Sequence, residues 1–87
     1  MDTATLIRSR LAALQPVALD ITDDSARHAG HAGAREGGGH FLVTVVSEAF
    51  VGLPRQARHR RVHALLADLM PRAIHALSLR ALAPGEP

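Results

Sequence analysis

A chain of 87 residues with net charge +2, 47% hydrophobic and 21% charged, describes one globular domain and excludes a disordered one. The absence of Cys excludes disulfides, a thiol nucleophile and thiolate metal ligation by this chain alone. Two Phe, with no Trp or Tyr, leave little for base stacking, and ten Arg with no Lys make a basic but weakly charged molecule.

Residues 1–10 carry no apolar run of signal-peptide type, and no stretch approaches the roughly 18 apolar residues of a membrane span. A soluble cytoplasmic protein is the expectation.

Asp2 and Thr3 can cap a first helix over about residues 3–14, with Ile7, Leu11 and Leu14 on one face. Pro16 stops it, because the residue before a proline leaves the α region. Val17, Leu19 and Ile21 then alternate with Ala18, Asp20 and Thr22, a half-buried strand.

Asp24 to Phe41 follows, holding three of the six histidines (His28, His31, His40) and five of the seven glycines. A connection longer than about 12–15 residues in a small domain is commonly functional or disordered. We expect it to offer an imidazole ligand that His75, far along the chain, completes.

His40 to Ser47 reads as a second strand, antiparallel to the first and apolar on both faces. Gly52 and Pro54 punctuate the chain. The densest charge cluster comes next: Arg55, Arg58, His59, Arg60, Arg61 and His63.

Val62, Leu65, Leu66 and Leu69 recur at helical spacing, and Pro71 ends that helix. Arg58 would fall on the apolar stripe. The helix is therefore expected to start near it or bend, with a short separate helix over 54–58. His59 falls on the flank of the stripe and reads as a half-buried structural histidine.

Ile74 to Leu82 reads as a third strand. His75, Leu77, Leu79 and Ala81 share one face, and Ile74, Ala76, Ser78 and Arg80 the other. Return from a helix to the sheet implies a parallel neighbour. Residues 84–87 are expected as a flexible tail beyond a single domain of about residues 3–83. The order is α-β-β-α-α-β, an α+β domain with helices on one face of a small three-stranded mixed sheet.

His59 and His63 have the i, i+4 spacing of a metal pair, but no Glu intervenes and four guanidiniums surround them, so we reject it. His40 reads as a structural hydrogen-bonder at a strand start. Ser25 and Ser47 lack a triad context, and Gly37-Gly38-Gly39 lacks the Lys-Ser/Thr of a phosphate loop. With no paired carboxylates in acid/base roles, a non-enzyme is expected. Arg55, Arg58, Arg60 and Arg61 offer phosphate contacts or a docking surface for an acidic partner.

Several segments together resemble the BolA family. They are Asp23-Asp24-Ser25 leading into His28-Ala29-Gly30-His31, His40-Phe41 with Val45-Val46-Ser47, Phe50-Val51-Gly52, Arg58-His59-Arg60, and Ile74-His75-Ala76-Leu77-Ser78. Their order and spacing match over about residues 4–84.

The resemblance implies a fold similar to class II KH domains and partnership with a monothiol glutaredoxin, sharing a [2Fe-2S] cluster. In that family the histidine matching His75 is a constant ligand, and the loop between the first two strands supplies the second. Here His31 is favoured on its spacing from His40, with His28 as the alternative. With imidazoles only, this chain is expected to hold no cluster alone. A glutaredoxin Cys and a glutathione Cys would complete the set in a heterodimer, the chain by itself being a monomer.

The rival expectation is a nucleic-acid-binding transcriptional regulator using Arg55 to Arg61. Against it, Gly52-Leu53-Pro54-Arg55 lacks the second glycine of a KH backbone grip. A protein-only adaptor is a third.

Overall fold

The computed structural model describes residues 2–25 and 39–87. Helix α1 spans Thr3–Leu11 and tightens into a 3-10 turn over Ala12–Leu14. Asp2 is its cap; the carboxylate accepts from the Thr5 N–H at 2.8 Å. This satisfies one free donor of the first turn, and the Thr5 side chain first, then this N–H, holds the Asp2 carboxyl below its usual range. Gln15 closes the turn at φ 48°, ahead of Pro16.

Strand β1 spans Ala18–Asp23 and β2 spans Gly39–Val46, in antiparallel register with Leu19 opposite Val45 and Ile21 opposite Val43. Ser47 leads a 3-10 turn over Glu48–Phe50, and helix α2 follows over Arg55–Leu66, running into a 3-10 turn over Ala67–Leu69. Strand β3 spans Ile74–Leu82 and lies parallel to β2. The sheet order is β1-β2-β3, a mixed sheet whose central strand is the most buried.

The core lies on one face of that sheet. Ile7, Leu11 and Leu14 of the first helix meet Val62, Leu66 and Leu69 of the second, over Phe41, Val43 and Val45. Burying a side chain of this size stabilises by roughly 1.5–3 kcal/mol. The opposite face of the sheet carries Asp20, Thr22, Leu42, Ser78 and Arg80, all exposed. No helix among the described residues is long and apolar enough to cross a membrane.

Three expectations are corrected. The separate helix over 54–58 does not form; α2 is continuous from Arg55, and Arg58 sits inside it. It is accommodated because its guanidinium donates to the carbonyls of Leu53 at 2.8 Å and Ala81 at 3.1 Å and pairs with Glu86.

Glu86 in turn belongs to a built turn rather than a free tail. Pro84-Gly85 turns the chain with Gly85 at φ 89°, a type II geometry that L side chains avoid. The Glu86 N–H donates to the Ala83 carbonyl at 3.1 Å, and the Glu86 carboxylate accepts from the Ala83 N–H at 2.9 Å.

Ile74 is the third. It is fully buried in the core, not on the open face with Ser78 and Arg80. The β2–β3 register explains this. Gly39 lies opposite Ile74 and His40 opposite Ala76, so one step on β2 spans two on β3. His75 is the extra residue of a β-bulge, which returns Ile74 to the helix side.

Candidate functional site

The bulge sets the site. His75 is exposed at the head of β3, at the bulge between Ile74 and Ala76. Its neighbour across the ladder is the start of β2. There the Gly39 N–H donates to the Ala73 carbonyl at 3.2 Å.

The other end of the β1–β2 connection is fixed at the same place. Ser25 Oγ accepts from the His40 N–H at 3.1 Å, and the Asp24 N–H donates to the His40 carbonyl at 2.8 Å. The Asp23 carboxylate accepts from the Ser25 N–H at 2.9 Å, and the Ser25 side chain first, then this N–H, holds it below its usual range. The described ends of the connection, Ser25 and Gly39, are therefore both anchored at the start of β2, whose other neighbour is the head of β3 with His75. His28 and His31 themselves lie outside the described residues. His40 holds its place through its backbone, in keeping with a structural role.

Gly39 is required by this packing. A Cβ there would overlap the Phe41 ring and come within 3.0 Å of Ser25 Oγ. Phe41 is 3% exposed and has no room to yield.

The arginine cluster divides. Arg58 is turned inward and bonded as described. Arg55 and Arg60 are exposed and, with Gln56, His59 and His63, line an open groove of about 670 Å³ along the outer side of α2. Arg61 reaches the Ala49 carbonyl at 3.4 Å.

His59 is half-buried, as its place on the stripe's flank predicts. Burial lowers its pKa first, followed by the charges of Arg55 and His63. A second, smaller cavity on its other side reaches Arg58, Leu79 and Arg80. Among the described residues no three His, Cys, Asp or Glu side chains come together as a metal site.

The model of the family described as "BolA-like protein" matches residues 11–86. This chain belongs to the BolA-like family. The chain is 39% identical over 79 residues to the DNA-binding transcriptional regulator BolA of Escherichia coli (strain K12), covering 85% of this chain and 72% of that protein. It is 41% identical over 81 residues to human BolA-like protein 1, covering 92% of this chain and 57% of that one. The solved structure of BolA1 from Arabidopsis thaliana superposes with a TM-score of 0.85 at 38% identity, covering 100% of this chain and 97% of that chain. The chain spans about half the length of several curated relatives it matches.

In this BolA-like chain, sequence reasoning passes over Gln56, Glu86 and Arg80. The Pro84-Gly85 turn signal could have found Glu86, since a type II turn brings the chain back on itself. Nothing in the sequence marks Gln56, which matters only through its place beside Arg55 and Arg60 on one helix face.

Proposed function

We propose that this BolA-like protein pairs with a monothiol glutaredoxin and contributes imidazole ligands to a [2Fe-2S] cluster shared between them. One observation carries the reading. His75 is the exposed extra residue of a bulge against the start of β2, where both described ends of the connection that holds His28 and His31 are anchored. A fixed imidazole thus has two further imidazoles tethered within the same connection, and His31 is favoured as its companion.

The donor set fits half of a cluster. Iron–sulfur clusters take four protein or cofactor ligands, and two imidazoles on one iron are an established combination. With no Cys in the chain, the thiolates come from a glutaredoxin cysteine and from glutathione, which makes the assembly a heterodimer. The cluster, when bound, supplies the iron. The chain presents neutral imidazole nitrogen, so sharing weakens as histidine protonates at acid pH. The role is in assembly, trafficking or iron-linked regulation, without catalysis by this chain.

Mixing the protein with cluster-loaded monothiol glutaredoxin tests the reading. The expected result is a changed visible absorption and circular dichroism spectrum, lost in His75→Ala and reduced in His31→Ala, with His28→Ala the milder. The same spectral change with His75→Ala would overturn it.

A second reading, DNA contact in a transcriptional regulator, is favoured by the exposure of Arg55, Arg60 and Arg61 and by the description of the Escherichia coli relative. Duplex affinity that falls steeply with salt supports it; no binding at low ionic strength removes it.

A further inference from the structure

We propose that the outer groove of α2 binds a short oligophosphate through Arg55, Gln56, His59, Arg60 and His63. This site is separate from His75 and uses arginines that DNA contact would otherwise occupy.

The chemistry of the walls points to the ligand. Two guanidiniums, a primary amide and two imidazoles line the groove, and no carboxylate or hydroxyl among the described residues joins them. Such a surface carries two fixed positive charges and more N–H donors than acceptors, the acceptors being the Gln56 carbonyl and one nitrogen of each neutral imidazole, so a ligand with several negative charges complements it. All five lining residues stand on α2, so the surface is open, unlike the enclosed pockets that usually take small ligands.

Those sites are usually apolar, and this one is not. No Trp, Tyr or Phe lines the groove to stack a base. The phosphates themselves are then what the groove reads.

Its shape favours a chain of phosphates over a single one. Arg55 and His59, then Gln56 and Arg60, stand one helical turn apart, and His63 follows a turn after His59. From residue 55 to residue 63 the helix rises about 12 Å. The donors therefore form a ladder along the groove. A duplex fits less well. The net charge of +2 is too small to neutralise many phosphates, and Arg58 is withdrawn to Glu86.

His59 gives the site a reporter. The charged groups around it are Arg55, Arg58 and His63 on its own helix and Arg80 on β3. Glu86, the carboxylate on the Arg58 side, is already engaged by that guanidinium. A phosphate chain in the groove opposes this positive surround and favours protonated imidazole. Each unit of rise in its pKa strengthens binding about tenfold below that pKa relative to above it.

The test is calorimetry on the full chain at low salt with inorganic tripolyphosphate, orthophosphate and a DNA duplex of mixed sequence. In parallel, the His59 ring proton is followed by NMR, assigned with His59→Gln. The expected results are saturable binding of tripolyphosphate, tighter than orthophosphate and stronger at pH 6 than at pH 8, with the His59 pKa raised on binding.

The double variant Arg55→Ala/Arg60→Ala should weaken binding by roughly tenfold or more. Arg8→Ala/Arg72→Ala, which removes the same charge from exposed positions outside the groove, should retain it. Equal loss in both doubles, no saturable binding at millimolar tripolyphosphate, an unmoved His59 pKa, or tighter binding of the duplex would each overturn the proposal.

Discussion

The guanidinium of Arg58 and the carboxylate of Glu86 join helix α2 to the turn that follows β3, with Nη2 donating to Oε2 at 2.9 Å. The same guanidinium donates to the Ala81 carbonyl and the Leu53 carbonyl, so one side chain ties three segments. Its side chain is 12% exposed. The pair is therefore shielded on the arginine side and open on the carboxylate side.

Charge-assisted hydrogen bonds of this kind favour the ionised carboxylate, and Glu86 is held down to about 2 from an ordinary 4.5, chiefly by Arg58 and then by the Ala83 N–H. The unfolded chain thus takes up a proton at a higher pH than the folded one. The contribution is complete above the ordinary value and is lost as pH falls from there toward about 2. In chemical denaturation, Glu86→Gln should flatten the stability curve across that acid window. Arg58→Ala should destabilise more than Glu86→Gln at neutral pH, because it also strips the donors from two carbonyls. Equal stability of the two variants would show that the carbonyl contacts contribute nothing.

Ser47 is the second prediction. It is fully buried; its hydroxyl donates to the Leu14 carbonyl at 2.7 Å and accepts from the Ala49 N–H at 3.0 Å. It therefore closes the end of the first helix and caps the turn over 48–50 at once. Ser47→Ala removes a cap and leaves a buried carbonyl unpaired, a loss of about 1–3 kcal/mol in unfolding free energy. A loss below about 0.5 kcal/mol would mean that water replaces the hydroxyl.

These contacts also show what the sequence could reveal. The three strands were legible because apolar alternation is a local property, and β3 forms over the expected Ile74–Leu82. The burial of Ile74 was not, because a bulge exists only in relation to the partner strand. Alternation read through His75 assigns Ile74 to the wrong face. Arg58 misled in a similar way. On a helical wheel it looks like a charge on an apolar stripe, and only the distant Glu86 makes that position acceptable. The place of His75 beside the β1–β2 connection depends on the parallel register, which spacing along the chain does not encode.

Gly39 yields a third prediction. A methyl group there meets the buried Phe41 ring and Ser25 Oγ. Gly39→Ala should cost about 1–3 kcal/mol through overpacking, and amide exchange should quicken at His40, whose N–H donates to that Ser25 hydroxyl. The double variant Gly39→Ala/Phe41→Leu should recover part of the loss if the ring is the obstacle. No recovery would place the cost in the backbone instead.

His59 sets a pH dependence of opposite origin to that of Glu86. Its pKa lies below 6.5 because burial, then Arg55, then His63 disfavour the imidazolium. Between the ordinary value and the lowered one, the unfolded chain is protonated and the folded chain is not. Stability therefore rises with pH across that interval, and falls as pH drops from about 6.5 to the lowered pKa. His59→Gln should remove that slope while keeping the side chain polar and half-buried. A slope unchanged by the substitution would assign it to other histidines.

The last prediction separates the role of His75 from its structure. As the extra residue of the bulge it has no opposite number on β2, and its side chain is exposed. Its backbone shapes the strand; its ring does not pack the core. His75→Ala should therefore leave the unfolding free energy within about 0.5 kcal/mol of the parent, as surface substitutions away from special features do. Deleting residue 75 should behave differently. It would join Ile74 directly to Ala76 and abolish the bulge, leaving Ile74 opposite Gly39 on the helix side in simple alternation, so any stability loss beyond that of His75→Ala reads the backbone shape of the bulge. Comparing the two variants by denaturation, beside the cluster spectrum of His75→Ala with glutaredoxin, distinguishes ring from backbone. Marked instability of the alanine variant would mean that the imidazole itself supports the strand, and any spectral loss would then report folding instead of ligation.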